Sequence, residues 1–186
     1  MEGIESSPPG GTPAGASQDE LYQEAATVFG AALERLARAY ESDSEKRRDL
    51  LQEIHFQVWR SFGYFARQCS LRTWVYRVAH HTATAHVIRE RRVYARLVHI
   101  EDLEAVAAPD PERYGAGEHT ALERLSRLIR KLKPLDRQIM VSYLEGLDAA
   151  SIGEITGLSA GNVAMKIHRI KSVLARRFRQ GGTHGK

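Results

Sequence analysis

No acidic residue follows Glu154, and from Ser159 to Phe178 the apolar positions Val163, Ile167, Ile170 and Leu174 recur at helical intervals. One face of a helix is therefore apolar, and Asn162, Lys166, His168, Arg169 and Lys171 fall outside it. Ammonium and guanidinium groups at this density neutralise phosphates, and a helix presenting them outward fits the major groove of a DNA duplex. A solvated amphipathic helix would carry the same stripe. The missing acids, and the caps described below, favour DNA.

A second basic block lies upstream. From Arg60 to Arg96, Arg67, Arg72, Arg77, Arg89, Arg91 and Arg92 meet one acid, Glu90. Tyr64, Phe65 and Gln68 stand near its start, and aromatic or polar side chains beside a basic groove are the types that hold unstacked bases. Between the two blocks, Glu101, Asp102, Glu104, Asp110, Glu112, Glu118 and Glu123 meet only Arg113. That alternation suggests two nucleic-acid-facing domains joined by something different. Ahead of both, Leu51, Ile54 and Val58 form one helical stripe and Asp49, Gln52, Phe56 and Trp59 another, so one can face a core and the other a partner. Acids and amides followed by an aromatic suit a positively charged protein surface with an apolar centre. The competing reading makes Phe56 and Trp59 core residues.

No catalytic constellation emerges. His80, His81 and His86 match no metalloenzyme spacing, Cys69 is the only cysteine, and there is no glycine-rich phosphate loop. Neither a metal nor a cofactor is expected. A lone cysteine forms no intrachain disulfide, which makes the cytoplasm the default compartment. No apolar run reaches bilayer-spanning length, and the start Met-Glu-Gly-Ile-Glu is acidic where a secretory signal would be basic. Neither export nor membrane anchoring is expected. A chain of 186 residues with 42% hydrophobic residues holds one ordinary core or two small ones, and a net charge of +4 permits a polyanionic partner.

The elements that must position these groups read as helices throughout. Residues 1–18 are rich in Gly, Pro, Ser and Ala and read as a disordered tail. Leu21, Ala25, Val28, Phe29, Ala32, Leu33 and Leu36 predict a helix from Asp19 to Tyr40, and a second runs from about Ser44 to Phe62. After a break at Gly63 to Cys69, Ser70 can cap a third helix to about Arg92. Its expected inner stripe is Leu71, Trp74, Val75, Val78, Thr82 and Ala85, which turns Arg72, Arg77, His80, His81 and Arg89 outward. Residues 96–119 form the candidate linker, in which Leu97 to Val106 could hold a turn or two of helix. A fourth helix, about Thr120 to Leu132, precedes Pro134 in the first turn of the next, which Gly146 ends. Asp148 then caps a short helix, Gly157 turns the chain, and Ser159 caps the basic helix. The fold class is all α: two small helical domains, 19–95 and 120–180, joined by a flexible acidic linker, with a short tail at 181–186.

These segments resemble bacterial RNA polymerase sigma factors of the small extracytoplasmic-function type. Leu132-Lys133-Pro134-Leu135-Asp136-Arg137, Glu145-Gly146-Leu147-Asp148, Ile152-Gly153-Glu154-Ile155, Gly157-Leu158-Ser159 and Val163 through His168-Arg169 are similar to their promoter-binding domain four, a helix-turn-helix. Asp49 through Trp59 resembles the core-binding helix of domain two, and Ser70 through Ala79 the helix that handles the minus-ten element. Two motifs in the family's order, about a hundred residues apart, are harder to match by chance than either alone.

The resemblance implies core RNA polymerase and promoter DNA as partners, with an anti-sigma factor as a further candidate. It implies contact with the polymerase clamp through Asp49, Gln52, Glu53, Phe56 and Trp59. Tyr64, Phe65, Arg67 and Gln68 would receive a flipped minus-ten base, with Arg72, Arg77, His80 and His81 tracking the backbone or neighbouring bases. Trp74 shares the apolar stripe and is read as core. Ser159, Asn162, Ala164, Met165, Lys166, His168, Arg169 and Lys171 would face the minus-thirty-five element, with Lys166 reading a guanine and Lys171 holding backbone. The chain departs from its relatives at His80-His81, where they often have Arg-Asn, and at Ala164 and Met165, where basic and small polar residues are common. The acidic linker is read as a solvated spacer, the alternative being a mimic of emerging RNA. A stand-alone helix-turn-helix regulator is the runner-up, and it leaves the Asp49 to Trp59 pattern unused.

Overall fold

The computed structural model describes residues 17–101 and 121–180, with side chains described for 17–92 and 121–179. Among the described residues seven helices follow in order: α1 (Gln18–Tyr40), α2 (Ser44–Ser61), α3 (Leu71–Glu101), α4 (Ala121–Arg130), α5 (Pro134–Leu144), α6 (Ala149–Thr156) and α7 (Ala160–Gln180), with a 3-10 turn at Phe62–Tyr64. No strand occurs among the described residues. The acidic stretch from Asp102 to Thr120 and most of the expected N-terminal tail lie outside them. Of the residues the sequence places in that tail, Gln18 opens α1 and Ser17 caps it, forming a reciprocal capping box with Glu20.

Local chemistry accounts for the helix ends. Asp43 accepts from the backbone amides of Glu45 and Lys46 at the start of α2, and Ser70 accepts from the amide of Thr73 at 3.0 Å at the start of α3. Pro134 opens α5, and Asp148 caps α6 through the Ser151 amide at 2.7 Å. Gly146 and Gly157 adopt φ of +76° and +75° in the turns after α5 and α6. Gly153 is needed for a different reason: a Cβ there would stand 2.6 Å from the Leu158 carbonyl oxygen, where α6 meets the turn into α7.

The α1–α3 bundle, the segment expected as domain two, closes around Leu33, Leu36, Leu50, Ile54, Val58, Val75 and Ala79, all 1% exposed or less. Helices α4–α7, the segment expected as domain four, close around Ile129, Ile139, Met140, Leu147, Ile152, Val163, Ile170 and Leu174. Other expectations also need correction. Helix α3 does not stop near Arg92 but continues to Glu101, into the expected linker. Its inner face is also wider than one stripe: Tyr76, Ala79, His80, Ala83 and His86 are buried, whereas Ala85 is exposed. The cause is that α3 packs on α1 and α2 and also on α5 and α6, while α4 packs on α1. The two domains lie directly against each other. Val28, read as inward on α1, is 63% exposed.

Candidate nucleic-acid interface

On α2, Leu50, Ile54 and Val58 turn inward, with Leu51 half-buried, and this leaves Asp49, Gln52, Phe56 and Trp59 exposed along the opposite side. Glu53 is half-buried and accepts from Gln57 at 2.7 Å. Phe56 and Trp59 stand one helical turn apart with ring centroids 6.2 Å from each other. The Trp59 indole donates to Asp19 at 2.8 Å, which fixes its rotamer against the start of α1 while 37% of the residue stays in solvent. An oriented, half-wet aromatic flanked by acid and amide is an interface type of surface.

The segment between α2 and α3 divides its aromatics. Tyr64 is 80% exposed. Phe65 is half-buried, packed between Phe62 and Trp74 at centroid distances of 6.1 and 5.2 Å. Trp74 is half-buried too, and its indole donates to the Ser61 hydroxyl at 2.9 Å, as befits a packing residue. Arg67 and Gln68 are exposed, Arg67 with a left-handed φ of 55°. Beside them a groove of about 590 Å³ opens between α2 and α3, lined by Glu53, Arg60, Tyr64, Arg77, His81 and Arg89 among others. The groove brings Glu53 of the α2 surface together with three side chains expected to handle bases: Tyr64, Arg77 and His81.

Not all the expected base-handling residues are free. Arg72 donates to the backbone carbonyl of Glu145, and Arg77 to that of Glu154 at 2.9 Å, so both reach across to domain four. His80 is fully buried at the domain junction, its two ring nitrogens hydrogen-bonded to Tyr40 at 3.0 Å and Ser142 at 2.9 Å. Loss of solvent pushes its pKa down to about 3, so the ring is neutral. The outward placement expected for His80 is therefore wrong in this conformation. A neutral imidazole tolerates such burial far better than a guanidinium would.

The sequence offered no signal for the partners of these groups. Arg35 pairs with the Glu145 carboxylate, Arg130 donates to the Arg38 carbonyl at 3.1 Å, and the buried Arg137 lies over the Tyr40 ring at 5.2 Å. Burial pushes the Tyr40 phenol up to about 12. Each pairing joins residues far apart in the chain, which no local periodicity reveals.

In domain four, Ser159 caps α7 by accepting from the Asn162 amide at 3.3 Å. Val163, Ile170 and Leu174 are buried, with Ile167 half-buried. Asn162, Ala164, Met165, His168, Arg169 and Lys171 are exposed. Lys166 is only half-exposed: its ammonium sits 3.0 Å from Asp136 of α5, and Arg169 approaches the same carboxylate at 3.8 Å. The Lys171 ammonium stands over the Tyr143 ring at 5.3 Å. Among the described residues no cluster of His, Cys, Asp or Glu is arranged to hold a metal ion, and no helix is long and apolar enough to cross a membrane.

A three-helix bundle with a basic groove is thus followed by a helix-turn-helix whose last helix is exposed and basic. The chain matches the family described as Sigma-70 region 2 over residues 27–93 and Sigma-70, region 4 over residues 122–174. It is 26% identical over 129 residues to RNA polymerase sigma factor YlaC of Bacillus subtilis (strain 168), covering 68% of this chain and 74% of that one. It is also 26% identical over 141 residues to the ECF RNA polymerase sigma-E factor of Haemophilus influenzae, covering 68% and 71%. Among solved structures, the fold resembles sigma factor RpoE in its co-crystal with anti-sigma factor NepR from Bartonella quintana, with TM-score 0.59, 20% identity, and 85% of this chain and 95% of that one covered. It likewise resembles CnrH in complex with the cytosolic domain of CnrY, with TM-score 0.61, 18% identity, and 88% and 90% covered. The chain belongs to the sigma-70 family and is a sigma factor of the extracytoplasmic-function type, which directs promoter-specific transcription initiation.

Proposed function

We propose that this sigma factor docks on core RNA polymerase through the exposed α2 stripe of Asp49, Gln52, Phe56 and Trp59, with Glu53 at its edge. Domain two (19–95) then admits an unstacked minus-ten base to the groove bounded by Tyr64, Arg77 and His81, with Phe65, Arg67, Gln68 and Arg72 beside it. Domain four (120–180) reads the minus-thirty-five element with α7. The observation that carries this reading is the groove itself, where an exposed aromatic, three arginines and a histidine border a space large enough for a base.

Promoter engagement then requires the domains to part. Arg72, Arg77 and His80 cannot serve DNA while they hold Glu145, Glu154 and Ser142. One structural relative, RpoE, was solved in complex with an anti-sigma factor, and a partner of that kind is a candidate here, as a ligand that favours one domain arrangement over another. The acidic residues that follow α3 are assigned the role of a spacer between the domains. The protein acts in the cytoplasm as a regulator, with catalysis left to the polymerase.

The test is reconstitution. Purified protein should comigrate with core RNA polymerase and enable initiation at a defined start site. A stand-alone operator-binding regulator would bind DNA without core and give no initiation.

A further inference from the structure

We propose that Met165 reads a thymine of the minus-thirty-five element through the methyl group of that base. The inference rests on the assignment of α7 as the reading helix and adds the chemistry of one contact to it.

Met165 lies in the second turn of α7, in the part of a second helix-turn-helix helix that meets base edges. It is 67% exposed and lies across the helix from the buried Val163 and Ile170. A lone exposed apolar side chain is ordinary on a protein surface. Its company is what matters here: one turn before it stands Asn162 and one turn after it Arg169, both exposed. An amide able to bond a base edge and a guanidinium able to hold phosphate thus bracket a flexible, polarisable thioether.

The neighbouring candidates are less well placed. Lys166, the residue best suited by charge to a guanine, has its ammonium on Asp136. Ala164 lines a groove of about 300 Å³ with Tyr143, Asp148, His168 and Lys171, so its short methyl faces that groove's wall and not open solvent alone. Met165 alone among these stands clear with nothing polar to offer. The one apolar group that base edges present in the major groove is the thymine C5 methyl. Covering it removes apolar surface from water on both sides of the contact. The same position facing cytosine, which lacks the methyl, gains less.

The experiment uses the full chain assembled with core RNA polymerase. Its preferred upstream element is selected from a duplex library randomised across that region. Each thymine of the element is then replaced singly by deoxyuridine, which removes only the methyl. The parent should lose about fourfold in affinity at one thymine, the ratio expected for one methyl returned to water. Met165→Ala should bind the thymine duplex weaker by a similar factor and ignore that replacement. Met165→Leu should keep most of the discrimination. Both variants should melt like the parent, since the side chain is exposed. An element without a methyl-sensitive thymine, or a Met165→Ala protein as methyl-sensitive as the parent, overturns the proposal while leaving α7 as the reading helix. If no upstream element is selected at all, the assignment of α7 fails and Met165 with it.

Discussion

The guanidinium of Arg35 in α1 grips the carboxylate of Glu145 at two points, Nε to Oε1 at 2.8 Å and Nη2 to Oε2 at 2.6 Å, so that helix α1 of domain two is clamped to the end of α5 in domain four. Glu145 is a hub. Its backbone carbonyl accepts from Arg72, and the Tyr76 hydroxyl lies 3.5 Å from its carboxylate. The ion pair is half in water, with Arg35 side-chain exposure of 55%, so by itself it contributes no more than about 1 kcal/mol. Its importance is positional, because the same residue that closes the domains also occupies Arg72.

Removing that carboxylate should loosen the closed arrangement. Glu145→Ala is expected to increase the radius of gyration measured by small-angle X-ray scattering and to leave the helical circular dichroism unchanged. A scattering curve superimposable on the parent's would show that the buried contacts around His80 hold the domains together without Glu145.

Acid should open the same junction. His80 titrates near 6.5 when solvated and about 3 in the closed fold, so between those values the unfolded or opened chain takes up a proton that the closed one refuses. Stability is therefore complete above about pH 6.5 and declines as the pH falls towards about 3. His55, also lowered by burial, adds to the decline. His80→Asn should show a smaller drop in urea midpoint between about pH 7.5 and pH 5 than the parent. An equal drop in both proteins would remove His80 from the account.

Asp49→Ala combined with Gln52→Ala should weaken association with core polymerase at least severalfold and leave the melting temperature within the scatter of the parent, because both side chains lie in solvent. Native-gel titration against core measures the first and calorimetry the second. Unchanged core affinity in a normally folded double variant would detach the α2 stripe from polymerase binding.

The two aromatics beside the groove should separate in their effects. Tyr64, at 80% exposure, is free to act on a base, and Tyr64→Ala should reduce permanganate-detected strand opening without lowering stability. Phe65, packed on Phe62 and Trp74, should cost about 2–4 kcal/mol of stability on replacement by Ala. If Tyr64→Ala opens promoters as well as the parent, its exposure has no bearing on the base.

Asp136 restrains two cations of α7, Lys166 at 3.0 Å and Arg169 at 3.8 Å. Asp136→Asn should release both, raising affinity for all DNA sequences alike and steepening the dependence on salt by about one to two counterions. A salt titration on unrelated duplexes reads this directly. A slope equal to the parent's would mean that DNA already draws those cations away from Asp136.

The sequence by itself determined the helices, their caps and the surface of α2, because these depend on nearest neighbours along the chain. Ser70, Asp148 and Ser159, each read as a cap, act on amides within three residues, and Ser17 and Asp43 do the same although the sequence reading leaves Ser17 in the tail and Asp43 unassigned. The spacing of Leu50, Ile54 and Val58 turns Asp49 and Gln52 outward whatever else the chain does. The exposed and basic face of α7 followed from the same periodicity, although its restraint by Asp136, 30 residues earlier, did not. Only the tertiary structure decided what α3 buries. A helix packed on one side hides one stripe, whereas α3 is wedged between α1 and α2 on one flank and α5 and α6 on the other. A side chain such as His80, polar and expected to face DNA, can then vanish into the junction. Tyr40 and Ser142, which receive it, lie 40 and 62 residues away along the chain. Two hydrogen bonds in a dry contact outweigh its affinity for water, and they exist only when two separately patterned domains meet.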